Sequence, residues 1–149
     1  MSQGVAGRPD IKTITSSKEE DMNLASYLEA HAAAQPDRVA IRFEGQSVSY
    51  GELERRASRL ADAMEKAGIQ AGERVALYLP NVPEFVVAYY AVQKLGALVL
   101  TINAILKTEE VRYLLDDAGA AAIVATGDLV HFVPDCKSLR LRIATDGEA

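Results

Sequence analysis

The stretch "VSYGELERRASRLADAMEKAGIQAGERVALYLPN", Val48 to Asn81, limits the possible folds more than any other part of the chain. It sets an amphipathic helix directly before a strand with almost no polar positions. Leu53, Ala57, Leu60, Ala61, Met64 and Ala67 fall on one stripe of the helix, and Glu52, Glu54, Arg55, Arg56, Arg59, Asp62, Glu65 and Lys66 occupy the rest. Ser49 and Glu52 have the Ser-x-x-Glu spacing of a capping box, in which each side chain satisfies a backbone N–H left free by the first turn. Gly68 is suited to the left-handed conformation that ends a helix, and "IQAGE" turns the chain. Val75 to Leu79 alternates only weakly, which predicts a strand buried on both faces. A strand with two apolar faces next to helices with one apolar stripe requires a layered α/β fold.

The unit recurs. Asn81 is the expected cap of a second helix, with Pro83 in its first turn, an apolar body from Phe85 to Leu95, and a second buried strand from Leu98 to Ile102. Thr108 is the expected cap of a third helix, where Val111, Leu114, Leu115 and Ala118 form the stripe and Gly119 stops it. Ala121 to Ala125 gives a third strand. "GDLVHFVPDC" reads as a turn or short helix before Leu139 to Ile143, where alternating arginines suggest a strand nearer an edge.

Ahead of these units, Leu24, Tyr27, Leu28, His31 and Ala32 recur at helical spacing between Asn23 and Gln35, and Pro36 marks the exit. Val39, Ile41 and Phe43, a Glu44-Gly45 turn and Val48 then predict a short hairpin. The expected fold class is α/β, a parallel-sheet three-layer subdomain with an N-terminal helix and β-hairpin.

Composition narrows the function classes. A hydrophobic content of 49% can supply a core, and a formal charge of −5, from 16 basic and 21 acidic residues, gives no footprint for nucleic acid or an anionic membrane surface. Cys136 is the only cysteine, so no intramolecular disulfide forms and a cytoplasmic location is the default expectation. Residues 1–22 are polar and lack the apolar core of a signal peptide, which predicts a flexible leader. "FVVAYYAVQ" and "LGALVLTI", separated by Lys94, fall short of the roughly 18 apolar residues of a membrane span, so no transmembrane segment is expected.

Residue types able to do chemistry are scattered. "GIQAGERV" has two glycines beside a strand but precedes it, whereas a dinucleotide loop follows one; a turn is the better reading. "LPNVPE" does lie where a strand gives way to a helix N-terminus, yet Pro83 removes a donor and Glu84 adds a negative charge, which favours a structural cap. His131 and Cys136 are too few for zinc and have no fold-independent reason to act as base and nucleophile. His31 has no evident partner, Asp116 and Asp117 read as the polar end of a helix, and Phe85, Tyr89 and Val92 read as core. No catalytic, cofactor-binding or metal-binding residue is assigned.

The pieces "AAAQPDRVAI", "VSYGELERRASRLADAMEKAGIQAGERVALYLPN", "PEFVVAYYAVQKLGALVLTIN" and "EEVRYLLDDAGAAAIVA", in this order and spacing, resemble the N-terminal portion of acyl-CoA synthetases of the AMP-forming adenylate superfamily. The family pattern after the third piece is roughly Val-Pro-x-Asn-Pro. This chain reads Leu100-Thr101-Ile102-Asn103-Ala104, so Asn103 matches and both prolines are missing. The resemblance implies that residues 23–149 are a partial N-terminal domain whose parent converts a carboxylic or fatty acid, ATP and coenzyme A into acyl-CoA, AMP and pyrophosphate. It implies ATP, magnesium and coenzyme A for the full-length parent, and none in this chain. The family's Ser/Thr/Gly-rich loop, its later acidic and aromatic motifs and its C-terminal lysine have no counterpart among these residues.

The expected partners are the remainder of the parent enzyme and, for the chain alone, a second copy of itself through exposed edges. The alternative is a self-contained small α/β binding or self-association module without catalysis.

Overall fold

The computed structural model describes residues 23–145. In chain order the elements are α1 (Leu24–Ala34), β1 (Val39–Phe43), β2 (Gln46–Ser49), α2 (Tyr50–Lys66), β3 (Arg74–Tyr78), α3 (Pro83–Lys94), β4 (Leu98–Thr101), α4 (Thr108–Ala118), β5 (Ala122–Thr126), a 3-10 turn (Val130–Phe132) and β6 (Leu141–Thr145). The hairpin β1–β2 stands apart from the main sheet, whose strand order is β4-β3-β5-β6 with every pair parallel. The expected leader, residues 1–22, lies outside the described residues.

Alternation along the two central strands builds both faces of the sheet. Val75, Leu77 and Leu79, with Ala122 and Val124, meet Met64 of α2 and Ala88, Ala91 and Val92 of α3. Ala76, Tyr78, Ile123 and Ala125 point the other way, against Val111 and Leu115 of α4 and against Leu129 and Val133. The three-layer arrangement is thus a direct result of β3 and β5 having no polar face. On the outer side of α2 and α3, Leu28 of α1 packs with Leu53, Ala57 and Val87, and Ile41 and Val48 of the hairpin close over them. Among the described residues no helix is long and apolar enough to cross a membrane.

Local signals act as their chemistry dictates, with several corrections. Glu44 (φ 47°) and Gly45 (φ 77°) both take positive φ, the conformation that a two-residue hairpin turn matching strand twist demands. The Ser49 side chain accepts the Glu52 N–H at 3.2 Å, but the Glu52 carboxylate turns to Arg55 (2.7 Å) and Arg56 (3.3 Å) instead of completing a box. Gly68, at φ 92°, ends the second helix as expected, while Ala67 is exposed and Ile69 takes the last core position of the stripe.

The cap of α3 is Val82, which supplies no side-chain hydrogen bond, and not Asn81. Pro83 sets the helical φ at the first position and has no N–H to satisfy, so a capping side chain is less needed. Thr108 is the first residue of α4 rather than its cap; the Lys107 N–H is satisfied by the Glu110 carboxylate at 2.8 Å. The second strand, expected to be buried from Leu98 to Ile102, is an edge strand whose residues are partly or fully exposed, with only Ile102 beyond it buried. An apolar run fixes a strand, but its burial depends on which strands flank it.

Candidate functional site

In an open α/β sheet, ligands bind outside the carboxyl ends of the strands, where the strand order reverses. Here the chain steps outward from β3 to β4 through α3 and then returns past β3 to β5 through α4, so the reversal lies between β3 and β5. At this end α3 begins with Pro83 and carries Glu84 in its first turn. Beside it a groove of about 700 Å³ opens between the hairpin, α2, the start of α3 and Thr145 at the end of β6. Val48, Leu60, Val82 and Val87 supply its apolar wall, and Glu44, Glu52, Glu84 and Arg56 its charges. The Arg56 guanidinium is already engaged by Glu52. Three carboxylates against one occupied guanidinium disfavour a polyphosphate there.

At the opposite end of the sheet, "GIQAGERV" is the turn that its position implied. Gly72 takes φ 81°, and the Glu73 carboxylate accepts the Gln70 N–H at 2.8 Å. Arg140, just before β6, binds both Glu73 oxygens at 2.8 Å and the Gly68 carbonyl at 3.0 Å. This guanidinium, followed by the Gln70 N–H, holds the Glu73 carboxyl down to about 2. The cluster is a staple across the amino ends of the strands.

The remaining candidates are not brought together. His131 lies exposed in the 3-10 turn, and the Cys136 thiol is pushed up by burial and then by a hydrogen bond with Asp116, the opposite of what a nucleophile needs. His31 does have a partner, since its ring stacks on that of Tyr50 with centroids 5.2 Å apart. Asp117 is exposed at the end of α4. Phe85, Tyr89 and Val92 belong to the core between α3 and the sheet. Among the described residues no three His, Cys, Asp or Glu side chains are grouped so as to hold a metal ion.

Asn103 keeps its place for a conformational reason. Its side chain accepts the Ile105 N–H at 3.1 Å, and its carbonyl accepts the Leu106 N–H at 3.1 Å. The Tyr78 hydroxyl then donates to the Leu106 carbonyl. The turn after β4 is therefore fixed by hydrogen bonds where the family pattern uses prolines.

Sequence reasoning missed two non-local features. Lys94 of α3 binds Glu29 of α1 at 2.7 Å and Glu54 of α2 at 2.9 Å, tying three helices together. The groove beside α3 was missed as well, since its walls come from segments separated in sequence. Lys94 interrupting an apolar helix was the one available signal: a cation among core residues needs carboxylates nearby.

The fold is that of the N-terminal domains of adenylate-forming CoA ligases. A benzoate CoA ligase from Burkholderia xenovorans superposes with a TM-score of 0.75 at 27% identity, covering 83% of this chain and 26% of that one. The family model described as AMP-binding enzyme matches residues 28–148, and the chain belongs to that family. It is 37% identical over 101 residues to a long-chain-fatty-acid–CoA ligase of Bacillus subtilis, covering 68% of this chain and 18% of the relative. An acetyl-coenzyme A synthetase of Emericella nidulans is 33% identical over 107 residues, covering 68% of this chain and 16% of the relative. The chain spans less than a fifth of the length of these two relatives.

Proposed function

We propose that this chain forms the first layers of the large domain of an ATP-dependent acyl-CoA synthetase and forms no acyl adenylate by itself. In the parent reaction a carboxylate oxygen attacks the α-phosphate of ATP, pyrophosphate leaves, and the thiol of coenzyme A then displaces AMP from the acyl carbon. Such chemistry depends on donors fixed around the phosphates. The observation that carries the proposal is the pairing of a family match over residues 28–148 with a carboxyl-end groove whose charges are Glu44, Glu52, Glu84 and an engaged Arg56.

The residues present do not fit the implied groups. The described carboxylates form no cluster able to hold magnesium, and the start of α3 presents Pro83 and Glu84 to an incoming phosphate. No step is assigned to ATP, magnesium or coenzyme A on this chain. Its role is to supply the buried strands β3 and β5 on which the rest of a ligase is assembled, in the cytoplasm. Two relatives and a structural neighbour are named for acetate, a long-chain fatty acid and benzoate, so the substrate class assigned to the parent is the carboxylic acid that the three share.

Sequencing the transcript through and beyond the codon for Ala149 tests this reading. A continuing frame that encodes a Ser/Thr/Gly-rich loop followed by a lysine supports it. A stop at that codon contradicts it and favours a self-contained module.

A further inference from the structure

We propose that α1 is a strap that opens as a unit while the rest of the chain stays folded, turning about Gln35 and uncovering an apolar seat on α2 and α3. The proposal rests on how thinly this helix is packed and does not depend on the ligase reading. Of the 11 residues of α1, only Ala25 and Leu28 are buried, and eight are exposed. α3, of similar length, buries Val87, Ala88, Ala91 and Val92 and exposes none. A helix with few buried contacts and a solvent-facing backbone opens at a lower free energy than the core beside it.

Leu28 is the one large apolar side chain that α1 buries, seated on Leu53 and Ala57 of α2 and Val87 of α3. Polar ties add to it. The Asn23 side-chain amide donates to the Gln93 carbonyl at 2.6 Å, and Lys94 meets the half-exposed Glu29 at 2.7 Å. The same lysine holds Glu54 of α2 at 2.9 Å, so α2 and α3 stay joined when α1 leaves. Their shared core against the sheet, built from Ala61, Met64, Ala88, Ala91 and Val92, contains no residue of α1.

The exit from α1 is clamped, which sets the limit of the moving unit. The Gly51 N–H donates to the Pro36 carbonyl and the Tyr50 N–H to the Arg38 carbonyl, both at 2.9 Å. A Cβ at Gly51 would lie 3.1 Å from that Pro36 oxygen and 3.2 Å from the Pro36 Cβ, so a glycine is what lets Pro36 sit this close. Gln35 lies between helix and clamp and has already left helical geometry, with φ −142° and ψ 63°. A rotation there swings α1 without disturbing Pro36, as an element-terminal hinge does.

Native-state hydrogen exchange on the 149-residue chain, read residue by residue through a series of sub-denaturing urea concentrations, tests the proposal. The amides from Ala30 to Gln35 should share one opening, with a small urea slope and protection at least about tenfold below that of Ile123 and Val124, which are fully buried in β5. Leu115→Ala, on the far face of the sheet, raises the closed and the strap-open states alike. It should speed exchange at Ile123 and Val124 roughly a hundredfold and leave Ala30 to Gln35 unchanged. Ile123→Val is the milder variant, with an effect of roughly two- to tenfold on β5 alone, and it decides if circular dichroism shows that Leu115→Ala has lost its fold. A variant that speeds both segments alike overturns the proposal, as does a wild type in which α1 is as protected as β5. Amides in α1 that exchange one by one with no urea dependence overturn it too, because they show fraying and no common opening.

Discussion

Arg140 holds Glu73 in a two-pronged ion pair, with both N···O distances at 2.8 Å, across 67 residues of sequence. It fastens the approach to β6 onto the turn before β3. The Glu73 carboxyl is lowered to about 2, first by the Arg140 hydrogen bonds and next by the Gln70 N–H. An unfolded glutamate titrates near ~4.3, so the contribution of this pair is fully present above that pH and is lost as pH falls towards about 2. Water reaches both groups, so the effect is modest and screened by salt. Urea melts at pH 7 and pH 3 should show a smaller pH dependence in Arg140→Ala than in the wild type. Identical pH dependence in the two proteins would remove Glu73 from the account.

Ser49 and Leu77 separate a local signal from a packing one. Ser49→Ala removes the acceptor of the Glu52 N–H and should cost about 1 kcal/mol. Leu77 is fully buried between β4 and β5, and Leu77→Ala should cost about 2–5 kcal/mol. Denaturant midpoints measure both. Equal and negligible shifts would mean that these elements are misassigned.

Such local features were legible because a few neighbouring residues decide them. Ser49 before an amphipathic run, Gly68 after it and the apolar Val75–Leu79 stretch give the same answer in any surroundings. Asn81 is not the cap because Pro83 moves the helix start to Val82, and the apolar Leu98–Ile102 run, expected to be a buried strand, lies at an edge. Arg140 and Glu73, or Lys94 and its two glutamates, meet only after the sheet order is set. The groove beside α3 has the same origin, with walls from the hairpin, two helices and β6.

Lys94 provides a test at the other end of the pH scale. Burial opposes its charge, but the hydrogen bonds it donates to Glu29 and Glu54 outweigh that and raise its pKa above the usual lysine value. Its contribution is therefore present below the unfolded lysine pKa and is lost as pH rises through the higher folded one. Lys94→Met should destabilise the chain by about 1 kcal/mol at neutral pH, with the loss shrinking above pH ~10.4 as the wild-type lysine deprotonates. A neutral or stabilised variant at pH 7 would show that packing outweighs this three-helix tie.

Tyr78 connects the buried sheet to the turn after β4. Tyr78→Phe leaves the Leu106 carbonyl without its donor and should cost about 1–2 kcal/mol. Hydrogen exchange at the Ile105 and Leu106 amides, which Asn103 holds, should accelerate. Unchanged exchange there would mean that Asn103 alone fixes the turn.

Acid-dependent exchange of labelled pyrophosphate into ATP is the decisive assay, run on the purified 149-residue chain with acetate, a long-chain fatty acid and benzoate. Catalysis of the first half-reaction requires phosphate donors and a metal site that Glu44, Glu52, Glu84 and Arg56 do not provide. The account predicts no exchange above the protein-free rate with any of the three acids. Exchange that depends on both the acid and this chain would contradict it and place an adenylation site within these residues.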